Sequence, residues 1–311
     1  MKMNGDSFRI NRFFRHIYQG TLLERIREEL RAYVKRRRSA WWQQRIGQKE
    51  YLTFKLQSEL KMLLYFDSRL SQEIYCGYFE WKERQFLYDF LRDGEIFVDI
   101  GANIGLFTLI ASHKIGKKGQ VYSFEPCSKT YHRLVKNIDL NEMSNTKCFQ
   151  IALSDHTGQV EMNISLDGYD AWNSIVKPTA GNAFAVETVH AMKWDNFAHE
   201  HNLMGRVNLM KIDVEGWESH VLSGGCECFG RKDAPVLQIE FTDEASQSAG
   251  TSCQSLYRQL EGLGYSMFIY EAKSKRLIPD PIRNSYPYLN LFAAKYPEKI
   301  NIKLKKRNFL S

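Results

Sequence analysis

Residues Phe97 to Phe107 read FVDIGANIGLF, and this stretch decides how the rest of the chain is read. An apolar run ends in Asp99. Gly101 and Gly105 then bracket Asn103, and a second apolar run of helical character follows. A glycine just past a strand lets the backbone turn sharply. A second one at the start of a helix lets that helix pack closely or lets a ligand approach its backbone. Free N–H groups at a helix start favour an anionic group, and Asp99 adds an acceptor suited to an ammonium.

A nicotinamide dinucleotide site is expected to show G-x-G-x-x-G, with the middle glycine against the pyrophosphate. Here the motif is G-A-N-I-G, with Asn103 in that place, which disfavours a pyrophosphate. A smaller ligand with a free amino-acid end fits better. S-adenosylmethionine (SAM) is one: it carries a carboxylate, an ammonium and a ribose, and no phosphate.

Strand–helix alternation extends in both directions. EIFVDI, QVYSFE, TKCFQIALS, NLMKIDV and PVLQIEF read as strands. Between them IGLFTLIASHKI, SKTYHRLVKNIDLN (with Ser128 as the expected N-cap) and GWESHVLSGG read as helices. SCQSLYRQLEGLGY is a further helix, and SMFIYE and YLNLFAAKY are the last strands. Strands separated by helices pair in parallel and build a doubly wound sheet. The last two strands lack an intervening helix, so that pair is expected to be antiparallel. Upstream, YLTFKL and KMLLYFD read as a hairpin around QSE. YFEWKERQFLYDFL, Tyr78–Leu91, reads as a lead-in helix with Phe79, Phe86, Leu87 and Phe90 on one face. QVEMNIS and AVETVHAMKW alternate like strands and enclose a loop, LDGYDAWNSIVKPTAGN.

Ligands of such sheets sit outside the carboxyl ends of the strands, so acids there are candidates. Glu125 ends the second strand, 24 residues after Gly101, where a carboxylate accepts from both ribose hydroxyls. Ser154 and Asp155 end the third strand, where an adenine would rest, although SDHTG also reads as a plain turn. Asp213 and Glu215 end the fourth in KIDVEGWE. Two apart on extended chain, they point the same way. One can serve as general base for a hydroxyl, or the pair can hold a divalent cation together with Glu240 of the fifth strand. The plainer reading of Glu215 and Glu218 is favourable charge at a helix N-terminus.

Charge is uneven. Residues 1–50 hold 13 Lys/Arg and five Asp/Glu, a balance of +8 in a chain of net +7, so the remainder carries −1. The stretch RIREELRAYVKRRRSAWW reads either as a helix on an anionic membrane surface or partner, or as a solvated arm with Leu22, Leu23, Ile26, Leu30 and Val34 facing the core. The second reading is preferred. No nucleic-acid recognition motif accompanies the charge, and none is expected to bind. No apolar run approaches the roughly 20 residues that span a bilayer, and the first 20 residues show no secretory pattern. A cytoplasmic protein, with peripheral membrane association through the arm, is the expectation. Six cysteines without a C-x-x-C pair, and the HEH at His199–His201, give no zinc pattern.

Together, FVDIGANIG, FEP, ALSD, VETV and KIDVEGWESHVLSGG resemble the FkbM-type SAM-dependent methyltransferases, over roughly Leu60 to Ala294; LSQEIYCGYFEWKERQFL resembles that family's lead-in. The resemblance implies a class I methyltransferase fold, a Rossmann-like α/β sheet of seven strands, one antiparallel, with helices on both faces. It implies SAM held by Asp99, Gly101, Ala102, Asn103, Gly105 and Glu125. It implies O-methylation of sugars, polyketides and related hydroxyl compounds, a small-molecule or glycan acceptor. Trp217 departs from the pattern, standing where a small residue often occurs, and would narrow the acceptor pocket or cover the helix start. The expected organisation is a basic helical arm (1–50), a hairpin and lead-in helix (51–95), the SAM-binding domain (96–300) and a basic tail (301–311). Asp213 and Glu215 are the expected catalytic groups. Glu80 is expected to approach the cleft from the lead-in, and Tyr169 and Trp172 to stack on a sugar. Two alternatives stay open: a nicotinamide-dependent oxidoreductase, and a non-catalytic SAM-fold module bound to a membrane or a glycan-assembly partner.

Overall fold

The computed structural model describes residues 26, 29–57, 59–77, 79–166, 173–175 and 184–306. Its centre is an eight-stranded sheet in the order β12-β11-β13-β10-β9-β3-β4-β5. These strands are β3 (Ile96–Ile100), β4 (Gln120–Phe124), β5 (Thr146–Phe149), β9 (Leu209–Ile212), β10 (Val236–Phe241), β11 (Ser266–Glu271), β12 (Arg276–Pro279) and β13 (Leu289–Ala294). Neighbours from β10 to β5 run parallel, and β13 runs antiparallel to both β10 and β11. The expected seven strands are therefore present, with β13 as the reversed one. An eighth, β12, extends the edge through a short hairpin with β11.

Side chains alternate across the sheet, as a pleated strand requires. Phe97, Val121 and Leu209 join a core with α3 (Trp81–Phe90), α4 (Leu106–Ile115) and α5 (Ser128–Leu140). Val98, Ile100, Met210 and Ile239 face the other side, against α6 (Trp194–Glu200), α7 (Glu218–Gly224) and α10 (Cys253–Gly262). Burial on both faces explains why these strands read as unbroken apolar runs.

Several boundaries differ from the sequence reading. The third strand splits at Gln150–Ile151: β5 stays in the main sheet, while β6 (Ala152–Leu153) enters a small sheet with β7 (Gly158–Ser165) and β8 (Phe184–Met192). Helix α5 begins at Ser128 itself, after Cys127, and the Ser128 amide and hydroxyl both donate to Glu187 of β8. The lead-in is two helices. One, α2 (Arg69–Cys76), stops at left-handed Gly77; the second, α3, starts after Glu80. Phe86, Leu87 and Phe90 are buried as expected, but Phe79 lies ahead of the helix. The expected tail boundary at 301 falls inside α11 (Pro297–Lys305), whose Leu304 is buried and whose Lys303 carbonyl accepts from Arg92 at 2.6 Å.

The hairpin of β1 (Tyr51–Lys55) and β2 (Lys61–Tyr65) forms as expected. It is tied to α5 and to the turn after β3 by fully buried Asn137, whose Oδ1 accepts from Leu63 N at 2.6 Å and whose Nδ2 donates to Ile104 O at 2.9 Å. The described part of the arm is helical over 29–43, here α1. Its expected core face is not one: Ile26 is 46% and Leu30 62% exposed, and Val34 is half-buried; Leu22 and Leu23 lie outside the described residues. The contacts lie further along. Trp42 is 1% exposed and packs on Phe66 at 4.5 Å, Arg38 donates to Tyr75 O at 3.0 Å, and Gln72 donates to Ser39 at 2.8 Å. The arm is thus anchored by its last turns against α2 and the hairpin. Trp42→Ala is expected to cost about 3–5 kcal/mol by removing a buried indole. Leu30→Ser should change stability by no more than about 0.5 kcal/mol. Urea midpoints compared at constant slope measure both.

Candidate active site

The strand order reverses between β3 and β9. The crevice beyond their carboxyl ends is where a doubly wound sheet holds ligands. A cavity of about 300 Å³ opens there, at the lower end of the range for small-molecule sites.

One wall is the opening motif. Gly101 has φ +78° and its amide donates to Phe124 O at 3.0 Å. A β-carbon at this position would fall 1.8 Å from the Asp213 carbonyl oxygen, so no other residue fits without moving that chain. Gly105 has φ +91°, and a β-carbon there would meet Leu134 of α5 at 2.6 Å. Its absence serves helix packing rather than ligand approach. Asp99 is 1% exposed. Its Oδ2 accepts from Thr108 Oγ1 at 2.6 Å, while buried Oδ1 has no partner. Burial raises its pKa against the pull of Lys211. An orphaned acceptor of this kind fits a ligand ammonium. Glu125 is oriented by its own loop: Oε2 accepts from Asn103 N at 2.9 Å, and Oε1 from Cys127 N at 3.1 Å and Thr130 Oγ1 at 2.9 Å. Each carboxylate oxygen has two acceptor sites, so the ribose role expected of Glu125 is compatible with these bonds. Ala102 and Asn103 complete this wall.

The opposite wall is acidic. Asp213, Glu215 and Glu240 each bring an oxygen within 4.8 Å of the others. Lys211, 4% exposed in the middle of the sheet, places Nζ 2.5 Å from Asp213 Oδ2. Burial pulls its pKa down, but Asp213, Glu80 and Asp99 outweigh that and raise it. Glu80 enters from the lead-in. Its Oε1 accepts from Tyr288 Oη at 2.8 Å and Asn290 Nδ2 at 3.2 Å, and its buried Oε2 has no partner. Burial pushes Glu80 up to about 7, against the pull of Lys211. Glu218 takes the capping role that the sequence divided between two residues: its Oε1 accepts from Val214 N at 3.0 Å and Gly216 N at 3.3 Å. Among the described residues, six non-glycines have positive φ, and three of them, Glu80 (+45°), Asn103 (+49°) and Glu215 (+52°), line this cavity. Sparsely populated backbone costs on the order of 1–3 kcal/mol per residue and concentrates at functional sites.

Two expected residues are displaced. Ser154 and Asp155 lie off the cavity wall, which at this point is Ile151, Ala152 and Leu153. The chain turns into the small sheet just before them. Ser154 Oγ accepts instead from Trp217 Nε1 at 3.1 Å, and Asp155 pairs with His156 at 2.7 Å. Trp217 lines the cavity and stacks on His220 at 3.6 Å, so it both bounds the pocket and covers the start of α7. Tyr169 and Trp172 lie outside the described residues; Ser174, from the same loop, donates to the Glu215 carbonyl at 2.9 Å. Of HEH, His199 pairs with Glu227 at 2.9 Å and His201 packs on Phe197. Lys211 and Tyr288 were missed. A lysine between Met210 and Ile212 in a strand buried on both faces was the available signal, because such a charge requires partners.

Residues 99–267 match the family model described as Methyltransferase FkbM domain. Methyltransferase 1 of Beauveria bassiana is 29% identical over 147 residues, covering 42% of this chain and 59% of its own. The hexuronic acid methyltransferase AglP of Haloferax volcanii is 27% identical over 147 residues, covering 47% of this chain and 56% of its own. The chain therefore spans less than two thirds of the length of these curated relatives. A crystal structure of methyltransferase FkbM from Methylobacillus flagellatus is 15% identical, covers 65% of this chain and 44% of that one, and superposes with a TM-score of 0.38. The family model covers more than half of the chain, and the protein belongs to the FkbM methyltransferase family.

Proposed function

We propose that this protein transfers a methyl group from SAM to a hydroxyl of a sugar or a related small acceptor. The observation that carries this reading is the continuity of one cavity from the Gly101 turn, with Asp99 and Glu125, to the carboxylates around Lys211. A donor with an ammonium and a ribose suits the first end. A hydroxyl that must lose a proton suits the second. The G-A-N-I-G turn still gives a pyrophosphate no middle glycine, so the nicotinamide alternative has nothing to favour it.

In this reading SAM supplies a methyl already activated on a sulfonium, which the acceptor oxygen takes while sulfur keeps the bonding pair. The chain aligns the two partners, a contribution worth roughly 7–11 kcal/mol in favourable systems. Glu80 receives the hydroxyl proton on its unpartnered Oε2. Asp213, pinned by Lys211, orients the acceptor. A base tuned near the working pH is the most effective one. Exposed Trp81 and Tyr288 stand beside Glu80 at the mouth and suit the apolar face of a sugar ring. The hexuronic acid acceptor in the name of AglP points the same way.

Exposed Ile26, Leu30 and Tyr33 lie on the same segment as exposed Arg36 and Arg37, which suits peripheral contact of the arm with an anionic membrane surface. Among the described residues no helix is long and apolar enough to cross a membrane.

Asp99→Ala is expected to weaken SAM binding by at least about tenfold, or 1.4 kcal/mol, in titration calorimetry; unchanged affinity would refute the donor site. Glu80→Gln should lower turnover about 10²–10⁴-fold. A base must be deprotonated to act, so wild-type kcat/KM should rise as pH increases through about 7. That limb should vanish in Glu80→Gln. A variant that keeps both rate and limb excludes Glu80 as the base.

A further inference from the structure

Asp213, Glu215 and Glu240 share the cavity wall with one lysine, Lys211. Asp213 follows β9, Glu215 sits in the left-handed turn after it, and Glu240 lies near the end of β10. Three separate backbone positions thus deliver oxygens to one point, all within 4.8 Å of one another. Glu240 is 4% exposed. Its Oε1 accepts from Thr242 Oγ1 at 3.1 Å, but Oε2 is buried without a partner. Lys211 Nζ lies against Asp213 Oδ2.

Buried carboxylates of this kind are paired or coordinate a metal. Hard divalent cations take oxygen ligands at about 2.0–2.6 Å, which puts ligand oxygens roughly 3–5 Å apart around the ion. The observed spacing falls in that range. We propose that Asp213, Glu215 and Glu240 bind a hard divalent cation of the magnesium, manganese or calcium class. The ion gives the orphaned Oε2 of Glu240 a partner. The role of the ion rests on the methyl-transfer reading: beside the acceptor it acts as a Lewis acid and eases loss of the hydroxyl proton. Binding of the ion does not depend on that reading.

The test is titration of the full, metal-stripped chain with Mn²⁺, following the free ion by electron paramagnetic resonance, with and without SAM. One Mn²⁺ per chain is expected, with a dissociation constant below about 1 mM. Glu240→Gln and Glu215→Gln, made separately and checked for native circular dichroism, should each weaken it by at least about tenfold, or 1.4 kcal/mol. Failure of wild-type protein to bind Mn²⁺ stoichiometrically in that range, with or without SAM, overturns the site. So does unchanged affinity in either folded variant. If Mn²⁺ binds at these residues and SAM does not bind, the cation site stands and the methyl-transfer reading falls. If SAM binds and methyl is transferred without any Mn²⁺ uptake, the reverse holds.

Discussion

The carbonyl of Asp213 lies against the α-carbon of Gly101, and the two halves of the cavity meet because of that contact. Any side chain at 101 would sit 1.8 Å from the carbonyl oxygen. The approach is fixed from three directions: Asp213 N donates to Ile100 O at 3.1 Å, and the amides of Gly101 and Ala102 both donate to Phe124 O at 3.0 Å. The end of β3 is therefore clamped between β4 and β9 while its chain turns back in the left-handed region. The clamp sets Asn103 N on Glu125 on one side and leaves Asp99 near Lys211 and Asp213 on the other. The Asp99–Glu125 side of the cavity and its acidic side are adjacent because no β-carbon separates these two strand ends.

Lys211 governs the electrostatics. It pairs in register with Asp99 across β3 and β9, and it points to the same face of the sheet. Opposite unit charges attract far more strongly in a protein interior than in water, so one buried ammonium holds several acids in place. It does not outweigh burial: Glu80, Glu215 and Glu240 stay raised, and Asp99 is raised despite Lys211. A cation beside them would favour their ionised forms.

The sheet was legible because its signals are local. Alternating apolar strands and helices, and glycines at strand ends, follow from backbone chemistry within a few residues. Asp99, Glu125 and Asp213 were legible for the same reason, since strand ends in a doubly wound sheet converge. What failed depended on tertiary context. Ser154 and Asp155 were assigned by the same rule, but the chain leaves the main sheet at Gln150–Ile151 and carries them off the wall. Ile26 and Leu30 have the spacing of a core face, yet they stay exposed among the described residues, and burial begins only where α2 and the hairpin reach the arm. Glu80 was placed near the cleft, but its left-handed backbone and its ties to Tyr288 and Asn290, about 200 residues away in sequence, left no local mark.

That long tie bears on specificity. Asp99, Glu125, Lys211, Asp213, Glu215 and Glu240 all fall within residues 99–267, the part matched by the family model. Glu80, Trp81, Tyr288 and Asn290 fall outside it, on both sides of the match. The family segment therefore supplies the Gly101 wall and the acidic cluster, while Glu80 and its ties come from the lead-in and from the approach to β13. Tyr288 and Asn290 hold Glu80 in place, and β13 can carry them there because it is inserted antiparallel beside β10, with Asn290 opposite Glu240 in register. Residues at either end of the fold can thus differ without disturbing the clamp at Gly101.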